Sequence, residues 1–347
     1  MPAIDPQYTR SSASLSAAYL QSVLPSLKVR YQQLDMDRLL VQAGIETRQL
    51  NDPEYLIPFY RVGGFFLALL QETGDSALGL EIGASVQARS YHVLGYAVLS
   101  SNTIGEAIER LIRYEQLAGK LGSTAMIKSD PVRLTWRCPF EGPWARYVKE
   151  AAIAGWVTFG RVLVADSVRP LGVYFDHELV GDYGRYEAVF GCPVHFNASW
   201  TGVTLSPENL EAPIVSADPG LNQLMDHQAI DRLEKFDSRL NLVNEVRAEV
   251  ARSLPDGEPS LEGVATALGL TVRSLQNRLK DAGLPFKAVV DEVREQLACA
   301  YLADDAASLL DIAFLLGFSE QSSFSRAFRR WRGVSPQAFR KSALPKP

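Results

Sequence analysis

The side chains best placed to do chemistry in this chain lie in two short runs near its C-terminus. In residues 312–340, IAFLLGFSEQSSFSRAFRRWRGVSPQAFR, Phe324, Phe328 and Trp331 recur at i, i+4 and i+7, the spacing of one buried helical face. The opposite face gathers Gln321, Ser322, Ser325, Arg326, Arg329 and Arg330. In residues 264–285, VATALGLTVRSLQNRLKDAGLP, Leu275 and Leu279 mark the inner face. Arg273, Ser274, Asn277 and Lys280 mark the outer one, with Gln276 at its edge. A guanidinium can fork onto a guanine edge, a side-chain amide can pair with adenine, and the remaining donors can hold phosphate. The chemistry these faces offer is recognition of a nucleic-acid duplex.

Positioning such a face takes a preceding helix and a tight turn, and both runs have them. Ile312, Ala313, Leu315 and Leu316 share an apolar face, Gly317-Phe318 breaks it, and Ser319 is the expected N-cap of the next helix. Val264-Ala265 matches Ile312-Ala313, and Gly269 matches Gly317, 48 positions later. Leu275 and Leu279 match Phe324 and Phe328, 49 later, so the second copy has one more residue in its turn. This is a helix-turn-helix layout, present twice. Between the copies, residues 286–302 keep Phe286, Val289, Val290, Val293, Leu297 and Tyr301 at a helical period. At about 1.5 Å per residue they form a strut of roughly 25 Å, able to hold two readers at neighbouring major grooves roughly 34 Å apart. Unlike copies in one chain imply a bipartite, directional site.

Charge agrees. From residue 321 onward stand seven basic side chains (Arg326, Arg329, Arg330, Arg332, Arg340, Lys341, Lys346) and no acid. Residues 1–320 carry 28 basic against 40 acidic groups, in a chain of net charge −5. A basic tip on an acidic body suits a phosphate backbone at one end. The competing reading is a ligand-binding protein whose basic C-terminal helices dock another protein. Salt-sensitive DNA affinity separates the two.

Other classes find little support. The four histidines (His92, His177, His195, His227) include no i, i+4 pair, GYAVLSS holds no nucleophile elbow, and no Gly-rich phosphate loop occurs. Cys138, Cys192 and Cys299 are far apart and odd in number, against a disulfide framework or a zinc site. No catalytic residue, metal or cofactor is expected. No apolar run approaches the roughly 18 residues of a membrane span, and the first residues, MPAIDPQYTRSSASLS, show no secretory signal. The expected location is cytoplasmic.

A length of 347 residues suggests two domains. Residues 1–14 read as disordered, and helices are expected over 15–24, 35–43, 58–70 and 93–99. Gly63-Gly64 weakens the third or permits a close helix contact. Asn102 or Thr103 caps a further helix through Leu117. Then the pattern changes: 124–127 and 132–138 alternate around Asp130-Pro131 as a hairpin, and 171–175, 194–196 and 202–205 read as strands. Helix 145–164 is apolar on more than one face, so it is buried or lies at an interface. Asp182 opens a short helix to Phe190. A helix over 221–236, a boundary near 237–240 and a helix over 239–254 follow, and Asp304-Asp305 reads as a loop. The fold class is an α+β N-terminal domain, helices plus antiparallel sheet, over 15–236, then an all-α domain with two helix-turn-helix motifs over 237–347.

The C-terminal pattern resembles that of the AraC/XylS family of bacterial transcription regulators. The residues that carry the likeness are Ile312-Ala313, Leu316-Gly317-Phe318, Phe324-Ser325-Arg326, Phe328, Gly333, Ser335-Pro336 and Arg340, with Arg294, Ala298 and Leu302 in the linker helix. Asn277 departs from it, standing where arginine is common, which points to the second reading helix as the stronger. Residues 35–225 more loosely resemble the family's arabinose-binding-like effector domain, through LLVQAGI, LGLEIG, LGYAVLSSNTIGEAIERL and YEAVFGCPVHF. The resemblance implies a small-molecule effector in the N-terminal domain, a homodimer, and double-stranded DNA and RNA polymerase as partners. Sugars, amino acids, fatty acids and aromatic acids all occur as effectors in the family. Candidate pocket residues are Tyr91, His92, Arg113, Trp136, Tyr147 and Trp156, each with core packing as its alternative role.

Overall fold

The computed structural model describes residues 13–52, 55–140, 144–165, 168–282, 284–303 and 307–343. Most of the start expected to be disordered, the Asp304-Asp305 loop and Lys346 lie outside them. The chain divides into two compact units, Met1–Glu234 and Lys235–Pro347.

In the first unit, Ser14–Ser16 (β1) pairs antiparallel with Leu56–Pro58 (β2), so Ala13 and Ser14 are ordered and buried. Leu15 was expected in a helix. It pairs with Ile57 instead, and Ser16 caps a helix that starts later, its Oγ accepting from Tyr19 N at 3.2 Å. That helix is Ala17–Arg30 (α1). Met36–Gln42 (α2) and Thr47–Leu50 (α3) follow. Phe59–Thr73 (α4) buries Phe59, Val62, Phe65 and Leu69 and stops at Gly74, whose φ of 62° suits a residue without Cβ. Leu78–Ala84 (α5), Val93–Leu99 (α6) and Ile104–Tyr114 (α7, capped by Thr103) complete the helical half.

The hairpin Ser123–Ile127 (β3) and Val132–Arg137 (β4) starts a five-stranded sheet. Ala145–Leu163 (α8), Gly172–Tyr174 (β5), Tyr183–Phe190 (α9), Val194–His195 (β6) and Gly202–Leu205 (β7) follow. The strand order is β3-β4-β7-β5-β6. Pairings are antiparallel except β5 with β6, which is parallel.

α8 packs on α5 through glycines. A Cβ at Gly83 would collide with the Ala151 carbonyl and the Ala154 side chain, and one at Gly79 with the Tyr147 carbonyl. The LGLEIG segment is thus a close helix crossing. At its edge sits Glu150, fully buried, accepting from Arg146 Nη1 at 2.8 Å and Tyr186 Oη at 2.7 Å.

Between Gly220 and Pro255 the sequence holds no proline or glycine. The two helices expected around residues 237–240 are accordingly one, Pro219–Ser253 (α10). In the second unit, Leu261–Ala267 (α11) and Val272–Asp281 (α12) form the first helix-turn-helix. Leu309–Leu315 (α14) and Gln321–Arg332 (α15) form the second, and Pro336–Ala343 (α16) follows. Phe286–Ala303 (α13) joins them and serves two cores. Val289, Val290 and Val293 pack with Leu275 and Leu279, and Ala298, Cys299 and Leu302 pack with Phe324 and Phe328.

The lobes are tied at the second turn. Gly317 has φ 71° and a Cβ there would strike the Gly257 and Leu254 carbonyls. Arg294 of α13, 6% exposed, donates to Leu316 O at 2.9 Å and Gly317 O at 3.2 Å, with its guanidinium 4.5 Å from the Phe318 ring centroid.

Two predictions follow from these buried charges. Burial pushes the Glu150 carboxyl from 4.5 up to about 7, against the pull of Arg146. The folded state therefore holds this proton more tightly than the unfolded chain. The group's contribution to stability is complete below pH 4.5, falls as pH rises towards 7, and is constant above. His177, 3.9 Å away with its pKa lowered first by burial, gives a slope of opposite sign. The comparison is therefore wild type against Glu150→Gln, and denaturation midpoints across this range will show the variant lacking the descending component. Secondly, Arg294→Ala orphans the buried Leu316 carbonyl and the half-buried Gly317 carbonyl and will cost the C-terminal unit about 3 kcal/mol, read by calorimetry. Arg294→Lys will restore only part, since an ammonium lacks the fork.

Candidate nucleic-acid interface and ligand cavity

Each reading helix is fixed by its inner face. In α12, Leu275 and Leu279 are buried and the Thr271 hydroxyl caps the start, accepting from Ser274 N at 3.1 Å. Arg273, Gln276, Asn277 and Lys280 are exposed as expected, and Ser274 is half-buried in the first turn. Arg278, overlooked in the sequence because it flanks the buried Leu279, is exposed too. Among the described residues none of Arg273, Arg278 and Lys280 forms an ion pair.

In α15, Phe324 and Phe328 are fully buried. Gln321, Ser322, Arg326, Arg329 and Arg330 are exposed and Ser325 is half-buried. The N-cap position is Glu320, where Ser319 was expected. No side-chain cap bond forms there; the Glu320 carboxylate instead accepts from Ser322 Oγ at 2.5 Å and Ser323 Oγ at 2.9 Å. Those hydroxyls, Ser322 first, hold its carboxyl below the usual range. Arg326 reaches the same carboxylate at 3.4 Å, and Arg330 reaches Asp291 of α13 at 3.3 Å. Arg329 has no ion-pair partner among the described residues. The face contrasts: free cations on α12, partly neutralised ones on α15.

The N-terminal unit holds a half-open cavity of about 160 Å³ between α4, α5, α8 and the β3–β4 hairpin. Alternation along β4 sends Val132, Leu134 and Trp136 inward and Arg133 outward. Of the expected pocket residues, Tyr91, Trp136, Tyr147 and Trp156 line it. His92 and Arg113 do not. His92 Nδ1 lies 2.7 Å from Arg232 Nη1, and Arg113 lies over the Tyr114 ring at 5.3 Å. Gly63, expected to weaken its helix or permit a helix contact, faces the cavity; a Cβ there would meet only Phe59, at 3.9 Å. α8 is apolar on several faces because one side packs on α5 and another lines this cavity, while Val162 stays 61% exposed.

One charged side chain lining the cavity escaped the sequence reading. Glu115 follows α7, and its carboxylate accepts from Thr124 N at 2.9 and 3.2 Å. Burial raises its pKa while the Thr124 bonds lower it, burial prevailing. A second cavity, of about 120 Å³, shares Tyr91, Leu94, Leu111 and Trp156 as walls. Among the described residues no cluster of His, Cys, Asp or Glu could hold a metal, and no helix is long and apolar enough to cross a membrane.

Comparison with known proteins agrees with both halves. Residues 34–214 match the model of the arabinose-binding domain of AraC transcription regulators, and residues 264–342 match a helix-turn-helix domain. The ornithine utilization regulator of Pseudomonas aeruginosa is 31% identical over 303 residues, covering 86% of this chain and 89% of that protein. The transcriptional regulator VirS of Mycobacterium tuberculosis is 30% identical over 236 residues, covering 68% and 69%. Among solved structures, the transcriptional regulator CdpR of Pseudomonas aeruginosa matches over 89% of this chain and 98% of its own, at 24% identity and a TM-score of 0.43. The chain belongs to the AraC family of DNA-binding transcription regulators, with an arabinose-binding-like domain ahead of its helix-turn-helix domain.

Proposed function

We propose that this regulator responds to a small molecule held in the N-terminal cavity and reads a bipartite, directional promoter site with α12 and α15. The observation that carries the reading is the pair of unlike exposed faces in one unit, joined by a helix that belongs to both cores. The 18 residues of α13 span about 27 Å, close to the roughly 34 Å between successive major grooves on one duplex face. Among the α12 residues, Arg273, Gln276, Asn277 and Lys280 are the base and phosphate contacts, with Ser274 on the backbone. On α15 they are Gln321, Ser322, Ser325, Arg326, Arg329 and Arg330. Dimerisation through the N-terminal unit and contact with RNA polymerase complete the reading on family grounds, and sedimentation of the purified chain tests the first.

Selection from a random duplex library will enrich two unlike half-sites in fixed order, about one helical turn apart. A palindrome or a single half-site contradicts the reading. Affinity for the selected site will fall steeply with added salt as counterions are released. Arg326→Ala will cost about 1–3 kcal/mol and relax preference at one base pair. Uniform weakening across site variants assigns it to phosphate instead.

A further inference from the structure

The chemistry of the cavity wall narrows what can occupy it. Its lining is mostly aliphatic and aromatic, with Trp136, Trp144, Trp156 and Phe66 among the rings. Among the described lining residues one carries a formal charge, Glu115, and none is Arg, Lys or His. A sugar needs many polar partners, and an amino acid or a fatty acid needs a cation for its carboxylate. This lining offers neither.

Glu115 has the opposite need. A carboxylate has about four lone-pair sites, and here its donors come from one residue, Thr124, through the backbone N–H and the hydroxyl. No Lys, Arg or His pairs with it among the described residues. Glu115 is half-buried, and a carboxylate partly withdrawn from water with no cation beside it is only partly compensated, which leaves room for a cationic partner. The volume sets the size of that partner. At about 160 Å³ the space compares with an engineered apolar cavity of about 150 Å³ that holds benzene.

We propose that the cavity binds a primary amine carried on a ring-sized apolar body, its ammonium paired with the Glu115 carboxylate and its body among the tryptophans. This rests on the reading that the cavity is the effector site.

The test uses the full chain and three probes of matched shape: 2-phenylethylamine, 2-phenylethanol and 3-phenylpropionate. Binding is read by tryptophan fluorescence, since three tryptophans line the cavity, and by the thermal midpoint of the N-terminal unit. Glu115→Gln keeps an acceptor for Thr124 N while removing the charge. The amine is expected to bind wild type at least tenfold more tightly than the alcohol, with the acid weakest. In Glu115→Gln that advantage is expected to vanish while alcohol binding persists. An acid that binds as well as the amine, or an amine advantage that survives Glu115→Gln, overturns the amine assignment and leaves the cavity reading standing. If none of the three changes fluorescence or midpoint, both fall together.

Discussion

A buried guanidinium holds the DNA-reading unit together. Arg294 gives up water for two carbonyls at the turn of the second helix-turn-helix and the face of Phe318. Burying an arginine is unfavourable unless its donors are satisfied, and this turn supplies acceptors no side chain of α14 or α15 uses. Because Gly317 also abuts the 254–257 segment, the turn is pinned from the first lobe and from α13 at once. Two readers on separate cores would be two weak binders on a tether. Clamped at this point, their spacing becomes a property of the fold.

The N-terminal unit solves a different problem with helix packing. A long apolar helix usually has one face to bury, yet α8 has two. Gly79 and Gly83 bring α5 so close that one face is sealed backbone to backbone. The other keeps Tyr147, Ala151 and Trp156 facing a space that their neighbours do not fill. Interiors pack close to crystal density, so an unfilled apolar volume of this size is unusual without a ligand to occupy it. The sheet contributes through period-two alternation: Trp136 and Thr124, cross-strand partners, close the wall beside Glu115.

Local signals were legible in the sequence, and tertiary ones were not. The reading helices, α13 and the β3–β4 hairpin follow from periodicity, turn chemistry and charge, which act over a few residues. Four of six pocket aromatics and polar groups were found because bulky rings have few other places to go. Glu115 was missed because a glutamate ending an amphipathic helix looks like a solvated one. Only the fold brings Thr124 and the apolar wall to it. The break expected near residues 237–240 does not form, because that stretch holds no proline or glycine to stop the helix. Ser319 lost its capping role because the chain turns one residue later, at Glu320.

That displaced cap changes the electrostatic balance between the two readers. Asn277 in place of arginine had pointed to α15 as the stronger. In the structure α15 carries more arginines, but Glu320 draws Arg326 and Asp291 draws Arg330. Exposed pairs of this kind contribute little to folding. They nonetheless compete with phosphate for the same guanidinium, so DNA must break them to engage it. α12 has fewer cations, yet Arg273, Arg278 and Lys280 have no such competitor among the described residues. The first helix thus gains the full attraction of the phosphate field on approach. The second would trade part of its attraction for orientation, since Arg326 lies against Ser323 Oγ at 2.9 Å and Glu320 at 3.4 Å. A poised arginine loses less freedom when it meets a base edge. Under the proposed two-helix reading, α12 would set affinity and α15 would set sequence preference.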